Sequence, residues 1–257
     1  MISTIEDIEN FINDKNFSKI FLLCGKNSFE NSGVKKLFYD SIKKKDIKIY
    51  YKISNIPNLN ELIEIIKEIK LFKPNLILAI GGGAIIDYAK IANLVDDRPD
   101  IADLIKNYSY PIKKKYTELA VIPTTAGSGA EVTSNAVMYV NGIKYSFESE
   151  LLIPDYFFLV PEFLISAPNN IKASSGFDAI AQALESLVSK KSNLKSVEYA
   201  SKSIKISLDS FLSFLNNPNL KNASEMSIAS NLAGKAINIS KTTAPHATSY
   251  PFTSLFN

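Results

Sequence analysis

The sequence predicts an α/β domain built on a parallel sheet, followed by an all-α domain. Two observations carry this. Short apolar runs alternate with helical patterns through residues 1–164, and from about Ala173 the pattern is helical to the end. Strands that alternate with helices indicate a parallel sheet covered on both faces. The strand candidates are Ser18–Cys24, Ile47–Tyr51, Asn75–Ile80 and Leu119–Ile122, each short, β-branched or aromatic, and bounded by turn residues. Between them, Asn58–Phe72 repeats Leu62, Ile65, Ile66 and Ile69 at helical spacing, and Ala84–Leu94 does likewise. The second half reads as helices near 173–188, 194–215, 220–240 and 243–251. The change near residue 165 divides the chain into 1–164 and 165–257.

Composition narrows the class. The chain has 257 residues, 46% hydrophobic and 21% charged, with a mean hydropathy of +0.03. These values exclude a disordered chain, a collagen or a membrane protein. No run approaches the ~18 apolar residues of a bilayer span. The acidic, amphipathic start, Met1-Ile-Ser-Thr-Ile-Glu-Asp, lacks the basic and apolar regions of a secretory signal. One cysteine, Cys24, allows no internal disulfide and fits a reducing cytoplasm. The net charge is +3, but every basic residue except Arg98 is a lysine, scattered among 26 acids. Nucleic-acid recognition leans on arginine forks and clustered charge, so neither nucleic acid nor membrane is expected as a partner. The dense run Lys113-Lys114-Lys115 reads as a solvated loop.

Five of the ten glycines fall in two short segments. In Ala79-Ile80-Gly81-Gly82-Gly83-Ala84-Ile85-Ile86-Asp87-Tyr88-Ala89-Lys90, a strand ends in three glycines and a helix begins. Glycines let the backbone N–H groups approach an anion closely, and the helix start adds unpaired donors and partial positive charge. The segment therefore suits a pyrophosphate; a purely structural turn is the alternative. The second segment, Val121-Ile-Pro-Thr124-Thr125-Ala-Gly127-Ser128-Gly129-Ala-Glu131-Val-Thr133, is rich in hydroxyls. It reads as a polar pocket wall, as a capped turn in which Ser128 starts a helix and Glu131 completes a capping box, or as both. In open parallel sheets ligands collect at the carboxyl ends of strands, where both segments lie.

Two further constellations occupy the helical half. In Ala173-Ser-Ser-Gly176-Phe177-Asp178-Ala-Ile-Ala-Gln182-Ala-Leu-Glu185, Asp178 and Gln182 share a helix face, with Glu185 one turn further on. Polar groups amid alanine, isoleucine and leucine need a metal, a substrate or a structural network. Thr242-Thr243-Ala-Pro-His246-Ala-Thr-Ser-Tyr250-Pro251 holds the lone histidine. Without context a lone histidine is more often packed or exposed than a ligand.

In this order and spacing the four segments resemble the iron-containing (group III) alcohol dehydrogenase family, within the dehydroquinate synthase-like superfamily. Gly81–Lys90 resembles that family's G-G-G-S-x-x-D-x-A-K, and Pro123–Thr133 its P-T-T-A-G-T-G-S-E-V-T. Gly176–Glu185 resembles G-x-D-A-x-x-H-A-x-E. The resemblance runs from about Ser18 to Asn257. It implies a Rossmann-like dinucleotide-binding domain at 1–164, a helical metal and substrate domain at 165–257, and an active site in the cleft between them. It further implies hydride transfer between NAD or NADP and a small aldehyde or alcohol, with divalent iron or zinc as Lewis acid. By residue, Gly81, Gly82, Gly83 and Ala84 would hold the pyrophosphate, with Asp87 supporting that turn. Thr124, Thr125 and Ser128 would line the adenine and ribose side, Lys144 would reach the nicotinamide ribose, and Asp178 and His246 match two metal ligands.

The sequence departs from the pattern in three places. Gln182 stands where the family has a histidine ligand, and a neutral amide oxygen is a poorer donor than imidazole. Tyr250 replaces the substrate-side histidine of H-x-x-x-H, so His246 and Tyr250 are the catalytic candidates, the phenol as donor to the substrate oxygen. The family continues past Asn257 with another ligand histidine and more helices. The expectation is therefore a fragment or a shortened product, whose helical half lacks partners for its apolar faces. At the first strand's end, Cys24-Gly25-Lys26-Asn27-Ser28 has a lysine and no acid, which tips the cofactor towards NADPH. The segments Gly25–Phe29 and His246–Pro251 resemble the phosphonoacetaldehyde reductase-like branch, which implies an anionic aldehyde. A non-catalytic nucleotide-binding remnant is the second reading, and a lyase on the same fold a third. A cytoplasmic protein is expected, and the sequence leaves a homodimer open.

Overall fold

The computed structural model describes residues 2–31, 34–35, 39, 42–54, 56–110 and 114–256. Lys113 of the lysine run and the terminal Asn257 lie outside them, as do the side chains of Asn27 and Ser28. Among the described residues the chain divides into two compact units: 3–122 with 134–158, and 1–2 with 123–133 and 159–257. The segment Pro123–Thr133 thus belongs with the helical unit although it follows a strand of the sheet.

The first unit opens with α1 (Ile5–Asp14), started by a Thr4 capping box with Asp7. Next come β1 (Lys19–Gly25), the short α2 (Lys26–Asn31), β2 (Asp46–Lys52), α3 (Leu59–Phe72), β3 (Leu76–Gly81), α4 (Gly83–Ala92), α5 (Ile101–Lys106) and β4 (Glu118–Pro123). A hairpin of β5 (Asn135–Val140) and β6 (Ile143–Glu148), then the two-residue β7 (Tyr156–Phe157), complete it. The five-stranded sheet has the order β2-β1-β3-β4-β7, and β1 pairs in parallel with both β2 and β3.

Burial follows strand position. β3 is buried throughout and β1 nearly so, whereas the edge strand β2 is only half-buried. Asn58 caps α3 by accepting from Glu61 N–H, and Lys73 ends that helix in the left-handed region just before Pro74. α1 packs by Phe11, whose ring lies 4.5 Å from Tyr156 and 5.1 Å from Phe158. Lys115 departs from the solvated-loop expectation. Its ammonium donates to Asp155 at 2.6 Å and to Ile153 O at 2.7 Å, while Asp155 also accepts from Leu119 N–H at the start of β4.

The helical unit contains α6 (Glu162–Ile165), α7 (Asn169–Val188), α8 (Leu194–Asn216), α9 (Leu220–Ser240) and α10 (Ala244–Phe256). Asn193 and Asn219 start α8 and α9 with reciprocal capping boxes to Ser196 and Asn222. Small residues let these helices approach closely: Ala179 and Ala183 of α7, Ala200 of α8, and Ala233 and Ala236 of α9 form one buried cluster. Buried hydroxyls find partners across it, with Ser203 donating to Ala229 O at 2.7 Å and Ser240 to Ser186 at 2.9 Å. Phe177, Val188, Leu194, Leu208, Leu212 and Phe252 are exposed on this unit. No described helix is long and apolar enough to cross a membrane.

Candidate functional site

In the α/β unit the glycine turn lies at the carboxyl end of β3, with β1 beside it: Cys24 pairs with Ile80. Gly82 takes the N-cap position of α4 and no side chain caps that helix, although Ile85 N–H turns back to Gly82 O at 3.0 Å. Gly81 is glycine for a steric reason, since a Cβ there would lie 2.5 Å from Ile85 Cγ1. Asp87 sits one turn into α4 and its carboxylate accepts from Val137 N–H at 3.2 Å. It fastens α4 to the hairpin. Lys90, fully buried, makes a second tie by donating to Asn135 O at 3.0 Å. Burial pushes the Asp87 carboxyl up to about 6, opposed by the nearby Lys90, the Val137 N–H and Lys144. Lys144 pairs with Tyr139 across the hairpin. A separate buried carboxylate, Glu61, accepts from Ile53 and Ser54 N–H and from the Tyr88 hydroxyl at 2.9 Å, tying α4 to the turn after β2.

The hydroxyl-rich loop belongs to the helical unit. Thr124 and Thr125 share a narrow crevice with Ser175 and Lys172 of α7. Ser128 Oγ accepts from Ala130 N–H at 3.3 Å, but no α-helix and no capping box follow. Instead Ala130–Val132 makes a single 3-10 turn. Gly129 precedes it with φ +59°, and a Cβ there would lie 2.4 Å from Gly234 Cα. The loop crosses α9 at a glycine–glycine contact that a continuing helix would not permit. Buried Glu131, expected to close the capping box, instead accepts from Asn231 Nδ2 of α9 at 2.9 Å.

The third group joins α7 to α10. Asp178, Gln182 and Glu185 project from one face of α7, and His246 comes from the first turn of α10. His246 Nε2 is 3.3 Å from Asp178 Oδ1. Its Nδ1 contacts Glu185 Oε1, and Glu185 Oε2 accepts from Thr243 N–H at 2.5 Å and Thr243 Oγ1 at 2.8 Å. Gln182 Nε2 donates to Asp178 Oδ2 at 3.0 Å, and Gln182 Oε1 is buried with no partner among the described residues. The hydrogen bond to Asp178 raises the His246 pKa against desolvation, with Glu185 adding to it. Glu185 is held below the usual carboxylate range: burial works against this, but the bonds to His246 and Thr243 outweigh it. Tyr250 lies one turn beyond His246 on the same face of α10. Sequence reasoning gave Glu185 and Thr243 no role. The signal was there, because a glutamate three residues after Gln182 on an otherwise buried face needs a partner.

A family model described as iron-containing alcohol dehydrogenase matches residues 2–161, and one for the family's C-terminal part matches 172–257. The chain belongs to the iron-containing alcohol dehydrogenase family. It is 33% identical over 200 residues to the 4-hydroxybutyrate dehydrogenase of Clostridium kluyveri, covering 76% of this chain and 53% of that protein. The chain therefore spans about half the length of that relative. The sulfoacetaldehyde reductase of Bifidobacterium kashiwanohense, solved in complex with NAD+, superposes with a TM-score of 0.90 at 26% identity, covering 99% of this chain and 68% of that one. An iron-containing alcohol dehydrogenase of Thermotoga maritima gives 0.83 at 27% identity, covering 98% and 69%.

The family's metal can be tested against the residues present. Among the described residues no three His, Cys, Asp or Glu side chains converge on a metal position. Glu185 meets the opposite edge of the imidazole and cannot share a cation with Asp178. What meets is Asp178 Oδ1 and His246 Nε2, as an ion pair, with Gln182 held beside them through its Nε2 bond to Asp178 Oδ2. Ligands ~2.1 Å from one tetrahedral cation stand ~3.4 Å apart, which matches the Asp178–His246 separation of 3.3 Å. Asp178 and His246 would supply a divalent cation with one oxygen and one nitrogen, and Gln182, a neutral amide, would add only a weak donor.

Proposed function

We propose that the chain carries the nucleotide and metal sites of an NAD(P)-dependent alcohol dehydrogenase or aldehyde reductase. In this reading residues 1–164 bind the dinucleotide and 165–257 bind the metal and substrate. The observation that carries it is Asp178 and His246, brought from two helices to 3.3 Å, with Gln182 bonded to the same carboxylate. Gly81, Gly82, Gly83 and Ala84 hold the pyrophosphate at the uncapped start of α4. Asp87 acts one step back, bracing α4 against the hairpin that presents Lys144 to the nicotinamide ribose. Thr124, Thr125 and Ser128 line the adenine and ribose side.

Asp178, Gln182 and His246 would hold the metal, iron or zinc, which when bound supplies Lewis-acid polarisation of the carbonyl oxygen. A bound reduced nicotinamide would supply the hydride, and Tyr250 would supply the proton to the substrate oxygen. The cofactor reading tips to NADPH. Lys26 opens α2 beyond β1, and Lys52 at the end of β2 is the register neighbour of Gly25, which adds a second cation there. The C. kluyveri and B. kashiwanohense relatives are named for substrates that carry an anion, 4-hydroxybutyrate and sulfoacetaldehyde. This supports a short aldehyde with an anionic tail.

The test is an assay of NADPH and NADH oxidation against short aldehydes with ferrous iron or zinc supplied. Asp178→Ala should abolish metal-dependent turnover and metal binding, with nucleotide affinity unchanged. A parallel fall in nucleotide affinity would overturn the assigned roles. Gln182, neutral where a stronger ligand would hold the metal, favours a second reading: a nucleotide-binding chain without turnover. Nucleotide binding without oxidation of any aldehyde would support it. Gln182→His should then tighten metal binding, and no change would count against a metal site.

A further inference from the structure

We propose that Lys172, with the hydroxyls of Thr124 and Thr125, forms a seat at the start of α7 for an oxyanion carried by a bound ligand. The proposal rests on the reading of Thr124 and Thr125 as ligand-facing residues. Lys172 is only 4% exposed, yet no carboxylate or hydrogen-bond acceptor meets its ammonium among the described residues. Its neighbour is the ring of Phe214 from α8, with the centroid 5.6 Å away. The ammonium therefore projects into the crevice that Lys172 and Phe214 line together with the two threonines. Burial depresses its pKa, and no acid offsets that. Its place in the helix adds to the cost. Lys172 closes the first turn of α7, where the helix dipole disfavours a cation. Pro168 takes the N-cap position and no side chain caps the helix. An ammonium that is buried, unpaired and at the positive end of a helix is unfavourable alone, and an anion beside it turns each of these into attraction.

Thr124 and Thr125 reach the crevice from the loop after β4, and neither hydroxyl has a hydrogen-bond partner among the described residues. That loop is held against α7 where Gly127 meets Ser175, since a Cβ on Gly127 would lie 2.8 Å from Ser175 Cβ. Ser175 itself is committed, its hydroxyl donating to Ile171 O at 2.7 Å. The donors left over are the ammonium and the two threonines. The crevice is narrow, so it suits a single anionic oxygen of a phosphate, carboxylate or sulfonate, with the rest of the ligand outside. A lysine ammonium, a compact charge with three donors, matches one such oxygen where a guanidinium fork would need two.

A dinucleotide phosphate and the anionic tail of a substrate share this chemistry, and two affinities separate them. The full 257-residue chain is compared with Lys172→Met, which keeps the length of the side chain and removes its charge. NADPH binding is read by nicotinamide fluorescence, and 4-hydroxybutyrate binding by calorimetry against uncharged 1-butanol. With a nucleotide phosphate in the seat, NADPH affinity should fall roughly 10–100-fold in Lys172→Met, the loss of one hydrogen bond to a charged group, and 4-hydroxybutyrate affinity should hold. With the substrate's tail there, 4-hydroxybutyrate affinity should fall by that factor and NADPH affinity should hold. A chain that binds no dinucleotide, yet loses 4-hydroxybutyrate in Lys172→Met, would support the seat while rejecting the nucleotide reading. Should Lys172→Met fail to fold, Lys172→Gln and Thr125→Val decide by the same two affinities. Both affinities unchanged would overturn the proposal and leave Lys172 as a cation packed on Phe214. The same holds if sodium sulfate raises the wild-type thermal midpoint more than that of Lys172→Met while neither affinity moves, because the crevice would then take a free ion only.

Discussion

Burial raises the Asp87 carboxyl from its ordinary 3.8 to about 6, so the folded chain prefers it protonated. The sign follows directly. Its contribution to stability is fully present below the unfolded value of 3.8 and is lost as pH rises through about 6. Asp87→Asn removes that titration, so its thermal midpoint should vary less with pH across this window than the wild type's. Melts followed by circular dichroism at successive pH values check this, and an identical slope in both proteins would contradict it. Tyr88 offers a second test at this scale. Its hydroxyl donates to Glu61 at 2.9 Å and accepts from Asn58 N–H at 2.7 Å in the interior. Tyr88→Phe should cost about 1–3 kcal/mol, because two buried partners lose a hydrogen bond. Urea titration would show it as a lowered midpoint.

Elements meet backbone to backbone where Gly129 crosses Gly234. A Cβ on Gly234 would lie 2.7 Å from Gly129 O, backbone against backbone, with no flexible side chain to yield. Gly234→Ala should therefore destabilise by about 1–3 kcal/mol, the usual cost of overpacking. Gly142 is the control. It has φ +78° but nothing within 4 Å of a Cβ, so Gly142→Ala should cost only about 1 kcal/mol of backbone strain. Equal losses in the two variants, measured by urea titration, would reject close packing as the cause. Four of the five sheet strands and the four long helices of the second half were legible because their apolar pattern is strong: predicted strand 75–80 is observed as Leu76–Gly81, and helix 220–240 as Leu220–Ser240, whereas the two-residue β7 was too short to read. The hairpin Asn135–Glu148 was not: β6 is half-exposed and mixes Lys and Ser with apolar residues, although the mostly buried β5 is itself an apolar run after Asn135. The expected capping box at Ser128–Glu131 failed for a nonlocal reason. The local pattern was right for a helix start, but Gly234 and Asn231, about a hundred positions on, decide that segment's conformation. At the candidate site Asp178, Gln182 and His246 were readable from spacing and resemblance. The tie between Glu185 and Thr243 was not, because it depends on how α10 lands on α7.

In this member of the iron-containing alcohol dehydrogenase family one unit carries a glycine turn at the start of α4 and the other a carboxylate–imidazole cluster. A ligand that binds only the folded chain stabilises it, by ~2.7 kcal/mol at a hundredfold excess over Kd. Saturating dinucleotide should accordingly raise the thermal midpoint, and the rise should persist in Asp178→Ala, whose change lies in the helical unit. The most direct test of the central claim is a titration of NADH and NADPH into the chain, read by nicotinamide fluorescence, since no tryptophan is present to report by energy transfer. The account predicts saturable enhancement, tighter for NADPH, and its loss when Gly82→Asp places a negative charge at the start of α4. A folded chain that enhances neither nucleotide's fluorescence and shows no rise in its midpoint would contradict it.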